Sequence, residues 1–396
     1  MVALGETLRA RGHVVRFVAP ADFVPWLRGR GFDAQSDGVD LRRTLSTSAA
    51  RIDSLRWQVR YLTEELAPRL FKTVASASEG ADVIVGSGVQ MAAASVAEWR
   101  EVPYSSVAFC PCAVPSSAAP PPTVKTQILP PFINRLLWQI GQPIADLALG
   151  GSINRGRETL GLDAIENPFA HLAGQRILLA ADRDLGPVAD DAPSKLVATD
   201  AWILEEPATL DPRLDAFLRL APSPLYFGFG SMISRDPGSL ASAALAAARA
   251  LGCAALVVSG WAELGRHLAW AGAAADDFFA VEAVPHHLVL PRVAAAVHHG
   301  GAGTITAAAR AGVPQVVLPH ILDQFYWAHR VERLGLGPRG LPVALVNADV
   351  LTDRIAAALG DASIREAAAT LAPSVASRNG VGPAADAVEA LVRCPS

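Results

Sequence analysis

Short apolar runs alternate along the chain with alanine-rich amphipathic stretches. That rhythm is the signature of βα units wound around parallel sheets. In the first half, runs at 14–19 (VVRFVA), 82–87 (DVIVGS), 104–109 (YSSVAF) and 176–181 (RILLAA) predict strands. In the second half, the runs lie at 224–230 (PLYFGFG), 254–260 (AALVVSG), 277–282 (DFFAVE), 293–299 (VAAAVHH) and 314–319 (PQVVLP). Several are apolar almost throughout, as strands buried on both faces should be. Two proline-rich stretches break the rhythm. The one at 204–224, which is also charged, predicts an interdomain linker and a short helix. The other, at 110–131, interrupts the first half; a loop of that length inside a compact domain is either functional or a surface insert. The pattern therefore predicts an α/β protein of two Rossmann-like, doubly wound domains facing a cleft. The expected boundaries are an N-terminal domain at 1–200, a linker at 201–223, a C-terminal domain at 224–375, and a helix in 376–396 that packs back on the first domain.

Composition narrows the function classes. A chain of 396 residues suits two domains, and 51% hydrophobic with 18% charged residues supports large cores without long disorder. The net charge of −4 gives no reason to expect nucleic acid or strong binding to anionic lipid. No apolar run approaches the roughly 20 residues of a membrane span. The start carries Glu6 and no apolar core of the kind a secretory signal needs. A soluble cytoplasmic protein with at most peripheral membrane contact is expected. The four cysteines are Cys110, Cys112, Cys253 and Cys394. Cys110-Pro-Cys112 is spaced too closely for a CxxC pair and nothing downstream completes a site, so they read as buried thiols.

The chemistry concentrates after the run at 293–299, where the chain reads HHGGAGT. In open α/β sheets, ligands bind outside the carboxyl ends of the strands. There a helix beginning near Thr304 would present free N–H groups and a partial positive charge, and glycines let a phosphate reach that backbone. FGFGSM at 227–232 repeats the logic and adds the hydroxyl of Ser231. Neither loop is a Walker A or a GxGxxG fingerprint, so ATP hydrolysis and dinucleotide redox chemistry lose ground. Asp323-Gln324, after the run at 314–319, pairs a carboxylate with a carboxamide that can fork onto sugar hydroxyls. A metal cluster of His286, His287, His298 and His299 is disfavoured: no carboxylate or cysteine sits at ligand spacing, and adjacent strand residues face opposite ways.

These segments closely resemble bacterial family 1 glycosyltransferases of the GT-B fold, most of all the sterol glucosyltransferase-like and glycopeptide-antibiotic branches. The resemblance rests on VPHHLVLPRVAAAVHHGGAGT, AGVPQVVLPHILDQ and FGFGSM, with TDAWILEEP (199–207) and VALGETLRARGHVVRFVAP (2–20) in support. It implies a nucleotide-sugar donor, UDP- or dTDP-linked, in the C-terminal domain and a hydroxylated apolar acceptor in the N-terminal domain, with no cofactor and no metal. His298 would contact the donor phosphates, the backbone of Gly301, Ala302, Gly303 and Thr304 would meet the diphosphate, and Ser231 would face it. Asp323 and Gln324 would hold the sugar. Val284 falls where the family's main chain meets the base, with Trp261 either near it or packed in the core. Ala283, Thr306 and Trp327 stand where the related plant signature has its base-stacking tryptophan, ribose-binding glutamate and an asparagine, which leaves the choice of donor open. Phe132 and Trp138, in the segment 132–149, would line the acceptor pocket or serve as core.

Inverting transfer needs a base, which the family carries as Asp or His in the loop after its first strand. That loop and strand are expected immediately before Met1, so the catalytic residue is not assigned; Asp22 and Asp37 are substitutes without support from spacing. The expected function is transfer of a sugar to a sterol, polyketide or glycopeptide-like acceptor. The alternatives are a catalytically impaired homologue acting as an auxiliary subunit, and a nucleotide-sugar epimerase of the same fold.

Overall fold

The computed structural model describes residues 1–48, 54–88, 90–220, 224–230, 232, 236–260, 264–270 and 278–393. Strands form at Arg16–Ala19 (β1), Asp33–Ser36 (β2), Ile84–Ser87 (β3), Tyr104–Ala108 (β4), Arg176–Leu179 (β5), Leu196–Ala198 (β6), Leu225–Gly228 (β7), Ala255–Val258 (β8), Phe278–Val281 (β9), Ala295–His298 (β10) and Gln315–Val317 (β11). Every apolar run named above contains one of them. β2 (DAQS) and β6 (LVA) were not expected from the pattern. Both end their sheets: β2 is mostly polar and β6 is only three residues long, so neither makes a long apolar run.

The chain divides into two compact units, one of Met1–Pro121, Ile128–Glu205 and Asn379–Ser396, the other of Pro122–Gln127 and Glu206–Arg378. In the first unit, β1 and β2 form a parallel pair, and β3–β4–β5–β6 form a separate parallel sheet. Helix Ala67–Ala77 lies against both: Val18 of β1 and Ile84 of β3 pack on the same cluster of Leu70, Phe71 and Val74. Helix Val2–Ala10 does likewise from its other side of the core, with Leu4 against Val107 and Leu178 and Val2 near Phe17. Helix Val381–Arg393 completes that core with Ala384, Ala385 and Val388. The pairs Arg11–Asp386 (2.7 Å) and His13–Glu389 (3.1 Å) rim the contact, where solvent leaves ion pairs little net worth. Beside it, Gly380 N–H donates to the Ala201 carbonyl at 2.8 Å, and Ile203 and Asn379 exchange two hydrogen bonds.

The second unit holds one parallel sheet in the order β11–β10–β7–β8–β9. Successive residues point to opposite faces. Leu225, Phe227, Val257 and Val297 enter one core, while Tyr226, Leu256, Val258 and Ala296 enter the other. Helices cover both faces, which is why these strands are apolar without alternation. The strand order reverses between β7 and β10, and a doubly wound sheet opens its binding crevice at that point, beyond the carboxyl ends.

Candidate functional site

Both glycine loops leave the sheet at this switch point. Gly228 and His298, the last residues of β7 and β10, are register partners. The chain then turns at Gly300, whose φ of 89° suits glycine; a Cβ there would lie 2.7 Å from Val317 Cγ1. Helix Ala302–Ala311 begins at once, with Gly301 as an N-cap that has no side-chain cap. The first-turn N–H groups of Ala302 and Gly303 have no carbonyl one turn earlier to receive them. The space beside Gly303 is open. Such an end is a ready anion site. Ser231 of the facing loop lies outside the described residues, as does Trp261.

The two histidines divide differently from the sequence reading. His298 is fully buried. Its Nε2–H donates to Gln315 Oε1 at 3.1 Å and its Nδ1 accepts the Gly300 N–H at 3.1 Å, so neither nitrogen is free for a phosphate. Burial pushes its pKa down to about 3, and it stays neutral. His298 thus shapes the loop from beneath. His299, one residue on, has left the strand and is half-buried beside the loops. A Cβ on Gly301 would lie 2.4 Å from His299 Nε2 and one on Gly230 would lie 3.4 Å from its Cε1, so its ring passes between the two glycine turns. Burial and the neighbouring His320 push its pKa to about 4. The sequence reading gave the phosphate contact to His298; the choice between the two depends on a strand boundary fixed to one residue, and boundaries are what a sequence shows least well.

Asp323 and Gln324 open helix Gln324–Arg333 beside the same loops; a Cβ on Gly300 would come within 3.3 Å of the Gln324 carbonyl. The Asp323 carboxylate does not cap its own helix, and burial pushes its pKa up. The Gln324 side chain is more committed than expected. Its Oε1 accepts from the N–H groups of His320 (2.7 Å) and Ile321 (3.2 Å), and its Nε2 points at Met232 Sδ, 3.2 Å away. Gln324 therefore ties the loop together and has only its amide N–H groups to offer a ligand. Leu322, just before the pair, has φ 50°, a conformation that costs a branched side chain energy and that recurs at functional sites. His320, unnoticed in the sequence, bonds through Nδ1 to the Leu318 carbonyl at 2.8 Å, and its buried Nε2 has no partner among the described residues.

Comparisons with known proteins carry the same message. Residues 266–391 match the family of the erythromycin biosynthesis protein CIII-like C-terminal domain. Glycosyltransferase GtfE of Amycolatopsis orientalis is 37% identical over 344 residues, which cover 85% of this chain and 81% of that one. The vancomycin aglycone glucosyltransferase of the same organism is 36% identical over 343 residues, with the same coverage. The chain belongs to this glycosyltransferase family. Among solved structures, glycosyltransferase VinC in complex with dTDP superposes with a TM-score of 0.70 at 21% identity, over 99% of this chain and 96% of that one. The glycosyltransferase accordingly has the GT-B fold.

In the glycosyltransferase, Val284 lies half-buried just beyond β9 and packs on the core containing Tyr226 and Leu256. Next to it, the Tyr226 hydroxyl and His286 Nε2 are 3.0 Å apart. Two departures from the plant signature are explained by packing. The Thr306 hydroxyl donates to the Ala302 carbonyl of its own helix at 2.8 Å, and Trp327 is only 1% exposed. Both serve the fold.

In the first unit the structure separates Trp138 from Phe132. Trp138 is buried, and its indole N–H donates to the Ala119 carbonyl at 3.0 Å. With Asn134 Nδ2 on the Ser117 carbonyl, it fastens the first arm of the proline-rich stretch to helix Pro131–Thr159. Trp138 is therefore core, and the stretch is anchored. Phe132 is exposed, and shares one helix face with exposed Leu136, Ile140, Ile144 and Leu147. Asp22 Oδ2 accepts the Leu41 N–H at 2.6 Å at the start of helix Leu41–Thr47, a structural role. Asp37 is buried with its pKa pushed up by burial, and it accepts the Val39 N–H at 2.8 Å.

Proposed function

We propose that the enzyme moves a sugar, with inversion, from a nucleoside-diphosphate donor held by the second unit to a hydroxyl of a largely apolar small molecule held by the first. The observation that carries this reading is the pair of glycine turns at the β7/β10 switch point, with His299 between them and an open helix end beside them. In this reading the Ala302, Gly303 and Thr304 backbone and His299 meet the diphosphate, Asp323 accepts from sugar hydroxyls, and the main chain at Val284 meets the base. As the acceptor oxygen forms its bond to the anomeric carbon, the bond from that carbon to the phosphate oxygen breaks. The electron pair goes to the diphosphate, and the hydroxyl proton to a base. Preorganised N–H donors gain strength as that charge grows, which is how such a site lowers the barrier without a metal. The dTDP complex of VinC and the aglycone named for the vancomycin relative support the donor and acceptor classes. The apolar face of helix Pro131–Thr159 supports an apolar acceptor on the first unit.

The test is turnover of UDP-glucose and dTDP-glucose against sterol, polyketide and glycopeptide aglycones, followed by mass spectrometry with and without EDTA. The expected product is an acceptor carrying one added hexose, formed at the same rate with the chelator. Donor binding without any glycoside would favour an auxiliary, non-catalytic role, and conversion of the donor sugar without an acceptor would favour an epimerase.

A further inference from the structure

We infer that the first unit has a strand-wide slot between β1 and β3 that takes an extended, uncharged, apolar peptide segment as a further parallel strand. β1 pairs only with β2, and β3 only with β4, so among the described residues each has an edge with no strand beside it. The two edges lie in one layer. On one face, Val18 of β1 and Ile84 of β3 pack on helix Ala67–Ala77. On the other, Phe17 of β1 lies against Gly5 of helix Val2–Ala10, and Val83 and Val85 pack on the cluster that holds Leu4 of that helix. The edges also run the same way. Arg16, which opens β1, donates to the carbonyls of Ala77 (2.6 Å) and Glu79 (3.1 Å), where the chain is about to enter β3.

The width of the slot follows from the helices. Strands in a ladder lie about 4.8 Å apart, so edges with room for one more strand are about 10 Å apart. A helix about 10–12 Å across reaches both; with room for two more strands, at about 14 Å, it would not. The strand side chains carry the same mark. β7, β8 and β10, inside the other sheet, are buried at every residue, whereas Phe17, Val18, Ala19, Val83, Ile84 and Val85 are only partly covered although helices lie on both sides. Apolar strands with open edges recruit a further strand, which gains main-chain hydrogen bonds on both sides. Charge selects the occupant. Apart from Arg16, which is tied to Asp33 and to those two carbonyls, neither β1 nor β3 holds a charged residue. A charged side chain in the slot would lose its water without gaining a partner. An apolar segment of five residues has about 750 Å² of surface to bury there, close to the roughly 800 Å² that each partner gives to a standard interface. Its last residues would emerge beyond the carboxyl ends of β1 and β3, the side on which such sheets hold ligands.

The test is amide hydrogen exchange of the full chain, read by mass spectrometry, with a blocked synthetic peptide of five alternating valine and isoleucine residues between lysine pairs. Exchange at Arg16–Ala19 and Ile84–Ser87 is expected to slow at least about tenfold with saturating peptide. The same peptide with proline at its centre, which lacks a backbone N–H, should protect neither strand. Slowing in neither strand or in only one overturns the inference, because a strand in the slot must pair with both edges. Equal slowing by the proline peptide overturns it too, since the contact would then be apolar association without strand pairing. Sedimentation of the chain without peptide separates the remaining occupant. A dimer in which both strands are already protected would give the slot to a second copy of the chain and overturn the assignment to a peptide.

Discussion

His298→Leu tests whether the buried histidine is part of the ligand site or of its foundation. The substitution removes the donor to Gln315 Oε1 and the acceptor of the Gly300 N–H, both inside the sheet end where water does not reach. Among the described residues Gln315 Nε2 has no partner to begin with, so the whole amide would be stranded. A buried polar group left unsatisfied costs about 1–3 kcal/mol, and two of them about 2–6 kcal/mol in all. Set against the roughly 5–15 kcal/mol that hold a domain folded, this is a large fraction. Urea denaturation monitored by circular dichroism and by tryptophan emission reads the loss, with the two probes compared because two units need not unfold together. His298→Leu with Gln315→Leu should recover at least about 1 kcal/mol, since the second change removes the stranded amide. The reasoning is refuted if His298→Leu matches the wild type within about 0.5 kcal/mol, a difference typical of an inconsequential surface change. It is equally refuted if dTDP binding disappears while stability is untouched, which would put the ring on the phosphates.

Acid should loosen the second unit early. His298, His299 and His320 are held neutral at about 3, 4 and 4, below the ordinary 6.5, so the unfolded chain binds more protons than the folded one below that pH. Stability should be level above pH 6.5 and fall as pH drops toward 4, by about 1.4 kcal/mol per unit for each histidine; an unchanged urea midpoint at pH 5 would contradict this. Gly300→Ala forces a side chain into φ 89° and against Val317, and should lower stability by about 1–3 kcal/mol together with dTDP affinity, checked by thermal melting and calorimetry. In the first unit, Arg157 is 2% exposed and makes a two-pronged pair with Glu98 at 2.7 and 2.9 Å. Glu98→Ala leaves that charge unpaired, and should cost about 2 kcal/mol in urea titration, less than a fully buried pair because Glu98 is half in solvent.

The sequence was most legible where burial was two-sided. VVSG, AAAVHH and QVVLP are apolar because helices cover both faces, and their strands appear where the runs lie. DAQS was invisible because an edge strand can be polar, and LVA because a three-residue strand is too short to stand out. In the site, the glycines of HHGGAGT announced the loop because a backbone that turns at positive φ beside Val317 leaves no room for a side chain. What the pattern did not carry was direction. Whether His298 or His299 faces the loop, whether Gln324 Oε1 is free, and whether Trp138 lines a pocket or pins Ala119 are set by partners distant in the chain. Gln315, which fixes the His298 tautomer, lies seventeen positions away on another strand.

The passage of the chain out of the first unit and back again has a consequence for synthesis. Glu206–Arg378 emerges as one stretch, so nearly all of the second unit is available to fold while the ribosome is still working. The first unit must wait: Leu4, Leu178 and Ala180 lie open until Ala384, Ala385 and Val388 arrive with the last helix. A nascent chain released before that helix would carry a finished second unit beside a first unit with an uncovered apolar face, the kind of surface that chaperones hold and proteases find. Closing the first unit thus waits on helix Val381–Arg393, well after the second unit has emerged.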